Sequence, residues 1–121
     1  EGSIWEAAMS AAKHKLKNLF WLIDYNKLQS YGPTKEVLDL EPLTKKIESF
    51  GFNVKNIDGH NTKQIKNALT NSEIDEAKPQ AIICHTIKGK GFAFAEQNPS
   101  WHHKSKLSRE EIQLMYDCVT D

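Results

Sequence analysis

The chain is short of cysteine, has no net charge and carries no long apolar run, and each shortage removes a class of protein. Two cysteines in 121 residues, Cys84 and Cys118, do not make a disulfide framework. Cys84 falls in an apolar strand-like run and Cys118 in a helical pattern, so both read as reduced core thiols of a cytoplasmic protein. No Cys-x-x-Cys or His-x-x-x-His spacing occurs, which argues against zinc. Lys plus Arg and Asp plus Glu number 16 each, for a net charge of zero. A balanced chain offers neither nucleic acid nor an anionic membrane a charged face. No apolar run approaches the roughly 20 residues that a bilayer needs. No Gly-x-Gly-x-x-Gly follows a strand, which disfavours a generic nucleotide-binding domain. No signal-peptide pattern opens the chain, and it does not begin with Met, which leaves room for a start further upstream.

What the chain does have is three polar clusters, each closing an apolar run. Asp24-Tyr25-Asn26 follows Leu19-Phe20-Trp21-Leu22-Ile23. Asp58-Gly59-His60-Asn61 follows Phe52 to Ile57. His85-Thr86-Ile87-Lys88 follows Ala81-Ile82-Ile83-Cys84. The runs predict strands at 19–24, 52–57 and 81–86, the first covered on both faces.

Helical patterns separate them. Ser3 and Glu6 make a capping-box pair before Ile4, Trp5, Ala8, Ala11, Ala12 and Leu16. Lys13, His14, Lys15 and Lys17 then crowd the expected last turn, where cations suit the helix dipole. A second helix is expected from Pro42 to Phe50, with Leu43, Ile47 and Phe50 inward and Gly51 as its stop. A third starts at Asn61, capped with Gln64, and buries Ile65, Ala68 and Leu69. Ser108 and Glu111 open a last helix through Ile112, Met115, Tyr116 and Val119. Lys27 to Pro33, Asn71 to Pro79 and Ile87 to Leu107 read as connections, the last long enough to suggest function.

Strands alternating with helices imply an α/β fold: one domain, a parallel sheet with flanking helices. In such a sheet, ligands bind beyond the carboxyl ends of the strands, where the polar clusters stand.

Each cluster has a bland and a chemical reading. Asn26 either caps a turn or offers its amide oxygen to a hard cation such as Mg²⁺, with the Leu28 carbonyl from the same loop. The local pattern alone favours the turn. Asp58-Gly59-His60-Asn61 reads as structural, with Gly59 permitting a tight turn. Lys88-Gly89-Lys90-Gly91 puts two cations on a backbone-exposing turn that suits phosphate, through ammonium or peptide N–H groups, or it is a solvated basic loop. Trp101-His102-His103 supplies a candidate acid or base for a substrate hydroxyl, or a surface histidine pair.

Taken together, Glu1 to Ala7, Asp24-Tyr25-Asn26, Asp58-Gly59-His60, His85 to Gly91 and Ser100-Trp101-His102 resemble transketolase. The resemblance is to the carboxyl-terminal part of its cofactor-diphosphate-binding domain, a Rossmann-like three-layer unit, and it runs in order along the whole chain. It implies thiamine diphosphate with Mg²⁺, which Ca²⁺ or Mn²⁺ can replace, and transfer of a two-carbon ketol unit between sugar phosphates. It assigns Asn26 and Leu28 to the metal, and Asn26, Lys88 and His102 to the cofactor. His102 also assists proton transfer at the substrate, and Glu1 takes part in communication between the two active sites of a homodimer. It further implies a partner, either a pyrimidine-binding domain or a carboxyl-terminal subunit.

Departures from the family pattern are equally specific. The family's Gly-Asp-Gly, whose Asp is the other side-chain metal ligand, lies just before the segment matching Glu1. Residues 1–121 therefore read as a partial domain, inactive alone. His103 stands where the family usually has Gly, and Lys104-Ser105-Lys106 replaces a small-and-proline sequence. Alternatives within the resemblance are 1-deoxyxylulose-5-phosphate synthase, a related thiamine-diphosphate transferase, or a non-catalytic assembly module that keeps the fold.

Overall fold

The computed structural model describes residues 1–70 and 78–120. In chain order the elements are α1 (Gly2–Lys13), β1 (Phe20–Tyr25), β2 (Leu28–Gln29), β3 (Gly32–Pro33), α2 (Thr34–Val37), α3 (Leu43–Ser49), β4 (Asn53–Asp58), α4 (Thr62–Thr70), β5 (Gln80–His85), a 3₁₀ turn (Pro99–Trp101) and α5 (Arg109–Thr120). They form two compact units: Glu1–Tyr25 with Leu40–Thr86, and Asn26–Asp39 with Ile87–Asp121. Of the expected connection Asn71 to Pro79, residues 71–77 lie outside the described residues.

The first unit is the α/β body. Its strands are all parallel, in the order β1-β5-β4. The central strand is the most apolar, and Ala81, Ile82 and Ile83 are all buried to about 1% exposure. Ala81 and Ile83 join Ala8 and Ala11 of α1, Leu43 and Ile47 of α3, Tyr25 and Phe52 in the core, and Ile82 lies outside that cluster, as the two-residue strand period requires. Trp5 stacks on Phe50 and meets Trp21 edge-on, which locks α1 over the sheet. The expectation that the first strand is covered on both faces fails at Leu22, which is 51% exposed. Among the described residues β1 lies at one edge of the sheet, its inner face holding Trp21 and Ile23, while α3 and α4 pack against β4 at the other edge.

Helix ends show where local signals were misleading. The Ser3–Glu6 box does not form. The helix already begins at Gly2, Glu1 is its cap without a side-chain bond, and a serine inside a helix has lost the extended geometry a cap needs. The helix stops at Lys13, so only that lysine of the basic group lies in its last turn. At α4, Asn61 Oδ1 accepts the N–H groups of Lys63 and Gln64, but Gln64 Oε1 turns back to the Asp58 N–H. Leu69 of that helix is 37% exposed rather than buried. At α5 the box is reciprocal: Glu111 N–H donates to Ser108 Oγ at 3.2 Å, and Ser108 N–H donates to Glu111 Oε2 at 2.9 Å.

Two glycines have clear causes. Gly51 ends α3 at φ +91, with its N–H on the Glu48 carbonyl at 2.8 Å. Gly59 is required by proximity rather than by a left-handed turn. A Cβ there would lie 2.5 Å from Thr86 Cγ2 and 3.0 Å from Cys84 Cβ. Gly59→Ala should therefore cost about 1–3 kcal/mol of stability, as overpacking does. Thermal unfolding checks this, and Gly59→Ala with Thr86→Ser should recover most of the loss, because serine removes the clashing methyl.

In the second unit, the expected loop Lys27 to Pro33 is a short hairpin, β2 pairing antiparallel with β3 and leading into α2. Both cysteines are free, and neither is the buried core thiol expected, since Cys84 is half-buried and Cys118 exposed. Burial, then the nearby Asp24 charge, pushes the Cys84 thiol up.

Candidate functional site

Strand register brings the three polar clusters to one level. His85 on the central strand pairs with Tyr25 on one side and Asp58 on the other, at the carboxyl end of the sheet. Most of the polar groups there are engaged with each other. Thr86 Oγ1 donates to Asp24, His85 Nε2 meets Asn56 Oδ1 at 2.9 Å, and the Tyr25 hydroxyl donates to Glu41 Oε1 at 2.6 Å. Glu41 uses its other oxygen to cap α3 at the Leu43 N–H, 2.9 Å away. His60 N–H donates to Asp58 Oδ1 at 2.9 Å, in keeping with a structural Asp58-Gly59-His60-Asn61 turn. Glu41 has no signal in the local sequence, since its partner Tyr25 lies 16 residues away.

Asn26, Leu28, Lys88 and His102 all fall in the second unit. Asn26 does cap a turn: its Oδ1 accepts the Leu28 N–H at 2.9 Å. This does not exhaust it, because an amide oxygen has two lone pairs. The hairpin decides where the Leu28 carbonyl points. Thr34 N–H donates to the Lys27 carbonyl at 2.9 Å, so the next pair, Leu28 and Pro33, is a non-bonded one. Pro33 has no N–H to give. Leu28 thus turns its N–H and its carbonyl outward along the same edge, toward the Asn26 amide. The two oxygens suit a hard cation as neutral ligands. Among the described residues no group of three His, Cys, Asp or Glu side chains could hold a metal.

The Lys88 to Gly91 turn separates its two lysines. Gly89 has φ +78, and a Cβ on it would lie 2.6 Å from the Ala95 carbonyl oxygen. Lys90 is 3.4 Å from Glu96 Oε1, which also accepts the Gly91 N–H at 3.2 Å. The N–H groups of Lys90 and Phe92 close the turn onto Ile87 and Gly89. The N–H groups of Lys90, Gly91 and Phe92 are thus engaged within the turn, and the Lys88 ammonium has no ion-pair partner among the described residues.

His102 follows the 3₁₀ turn, which Asn98 caps through Ser100 N–H at 3.1 Å. Trp101 packs on Phe94, and Lys104 lies 4.3 Å over the indole centre while pairing with Glu111. The His102 ring is half-buried, and its nitrogens have no hydrogen-bond partner among the described residues. Desolvation, then the charges of Lys88 and His103, hold its pKa below the ordinary imidazole value. The His102 and His103 rings lie side by side, 4.6 Å apart at 30°. His103 adopts φ +62, a left-handed backbone where glycine is at home, and its Nε2 is 3.0 Å from Ser30 Oγ. The Ser30 contact was not legible in the sequence, since its partner is 73 residues away.

A parallel α/β body with polar strand ends belongs to the class of proteins that bind ligands at that edge. Residues 1–119 match the family described as transketolase, thiamine diphosphate binding domain, and the chain belongs to that family. Its relatives include a 6-deoxy-6-sulfo-D-fructose transketolase subunit of Clostridium sp. (strain MSTE9), 46% identical over 91% of this chain and 40% of the relative. One of the apulose-4-phosphate transketolase subunits of Actinobacillus succinogenes is 40% identical over 100% of this chain and 43% of its own length. The chain thus spans about two fifths of the length of these curated relatives. Among solved structures, Campylobacter jejuni transketolase aligns at a TM-score of 0.76 with 31% identity, over 84% of this chain and 16% of that one. A Pichia stipitis transketolase mutant in complex with fructose 6-phosphate aligns at 0.82 with 26% identity, over 98% and 18%.

Proposed function

We propose that the chain forms the diphosphate-binding side of an enzyme that moves a two-carbon ketol unit from a ketose phosphate to an aldose phosphate. The observation that carries this reading is the set of free atoms in the second unit: the second lone pair of Asn26 Oδ1, the outward Leu28 carbonyl, the Lys88 ammonium and the open nitrogens of His102. Asn26 and Leu28 would hold Mg²⁺, or Ca²⁺ or Mn²⁺ in its place, against the diphosphate, and Lys88 would neutralise a phosphate oxygen directly. When bound, thiamine diphosphate supplies the carbon centre that carries the two-carbon fragment. His102, held neutral near pH 7 by its surroundings, accepts and returns a proton at a substrate hydroxyl.

The other side-chain metal ligand is assigned to a Gly-Asp-Gly aspartate outside residues 1–121, and activation of the cofactor to a pyrimidine-binding domain or carboxyl-terminal subunit. Relatives named as transketolase subunits support a divided enzyme. A homodimer in the cytoplasm is the expected complete form, and residues 1–121 alone should show no ketol transfer.

Lys88→Ala in the complete enzyme tests the diphosphate assignment. A charge-assisted contact is worth about 1.5–3 kcal/mol, so cofactor affinity should fall roughly 10–100-fold. The Mg²⁺ dependence of binding should change little, because the ammonium is not a metal ligand. A wild-type cofactor saturation curve would remove Lys88 from the site.

A further inference from the structure

We infer that His103 is a positioning residue that ties the Leu28–Pro33 hairpin to the loop ending in His102, through Ser30. The inference rests on the proposed function, because that reading puts the metal oxygens on the hairpin segment and the proton-transfer group at His102. Three observations carry it. The φ of +62 at His103 is a conformation that side chains rarely adopt, and histidine is among the few residues enriched there. That backbone sends the imidazole to the hairpin tip, where Nε2 lies 3.0 Å from Ser30 Oγ. The same ring lies against His102, 4.6 Å between centres. A glycine at this position would satisfy the backbone and make neither contact. One imidazole thus links the segment that carries Asn26 and Leu28 with the ring of His102. The charged groups acting on His102 are Lys88 and His103, and Ser30 is the neutral partner that holds the latter.

The test is a double-mutant cycle on Ser30 and His103 in the complete enzyme. Ser30→Ala and His103→Gly should each lower kcat/KM for ketol transfer by about 3–10-fold, the scale of one hydrogen bond. The double variant should be no worse than the weaker single, since both remove the same link. His103→Asn should recover most activity, because asparagine tolerates the left-handed backbone and can bond Ser30. Histidine-ring NMR of the cofactor-free protein gives a readout independent of turnover: His103→Gly should move the His102 titration to higher pH, by removing a neighbouring cation. Losses that multiply in the double variant, or an unmoved His102 titration, would overturn the inference while leaving the function intact. A wild-type enzyme with no ketol transfer would overturn both.

Discussion

Replacing His102 with alanine should lower kcat/KM for sugar phosphates by about 10²–10⁴, the usual cost of a lost proton-transfer group. Affinity for thiamine diphosphate should be largely spared, because the proposed metal and diphosphate contacts come from Asn26, Leu28 and Lys88. The wild-type pH profile carries a second signature. A neutral imidazole is the competent base, and partial desolvation together with Lys88 and His103 disfavours its protonated form. The acid limb of kcat/KM should therefore fall below the ordinary imidazole range, near 6.5. Lys88→Ala removes a positive neighbour, stabilises the imidazolium and should move that limb to higher pH. Steady-state kinetics across pH checks both points. His103→Ala should cost much less than His102→Ala, and the reverse order would show that His103 is the reacting histidine.

Asn26→Ala should be the most damaging change to cofactor binding. Alanine removes the amide oxygen offered to the metal and also the acceptor of the Leu28 N–H, which sets the Leu28 carbonyl along the same edge. Loss of an outer partner of a metal ligand already costs about 10–100-fold in affinity, so loss of a ligand that also orients its neighbour should cost at least on the order of 100-fold. Metal and cofactor affinity should fall together, unlike the Lys88→Ala case. Asn26→Asp keeps an acceptor for Leu28 and adds charge, and should retain metal-dependent binding. Titrating Mg²⁺ at fixed cofactor, and the cofactor at fixed Mg²⁺, separates these outcomes.

The α/β body was legible because its signals are local and reinforce one another. Apolar runs of strand length, closed by polar residues and separated by capped helical patterns, specify parallel strands without any distant contact. Ser108 and Glu111 are the clearest case, since both halves of the box lie three residues apart. Ser3 and Glu6 have the same spacing, but the helix begins before Ser3, so spacing alone does not make a cap. Leu22 sits in a run that reads as doubly covered, yet its exposure depends on strand order, which no local window contains. The proposed site residues Asn26, Lys88 and His102 stand out in the sequence because a family resemblance aligns them, not because any one is decisive. Which of their atoms are free was not legible. It depends on a hairpin register that turns the Leu28 carbonyl outward, on a Glu96 that takes Lys90 and leaves Lys88, and on a Ser30 brought to His103 from the other side of the sequence.

The most direct measurement is a crystal structure of the complete protein grown with thiamine diphosphate and Mg²⁺. A metal is expected about 2.0–2.1 Å from both Asn26 Oδ1 and the Leu28 carbonyl oxygen, with the Gly-Asp-Gly aspartate, diphosphate oxygens and water completing its octahedron. Lys88 Nζ should then lie within hydrogen-bond distance of the cofactor, and His102 should face the thiazolium side. A metal and diphosphate held elsewhere on the chain, with Asn26 and Leu28 unligated, would contradict it.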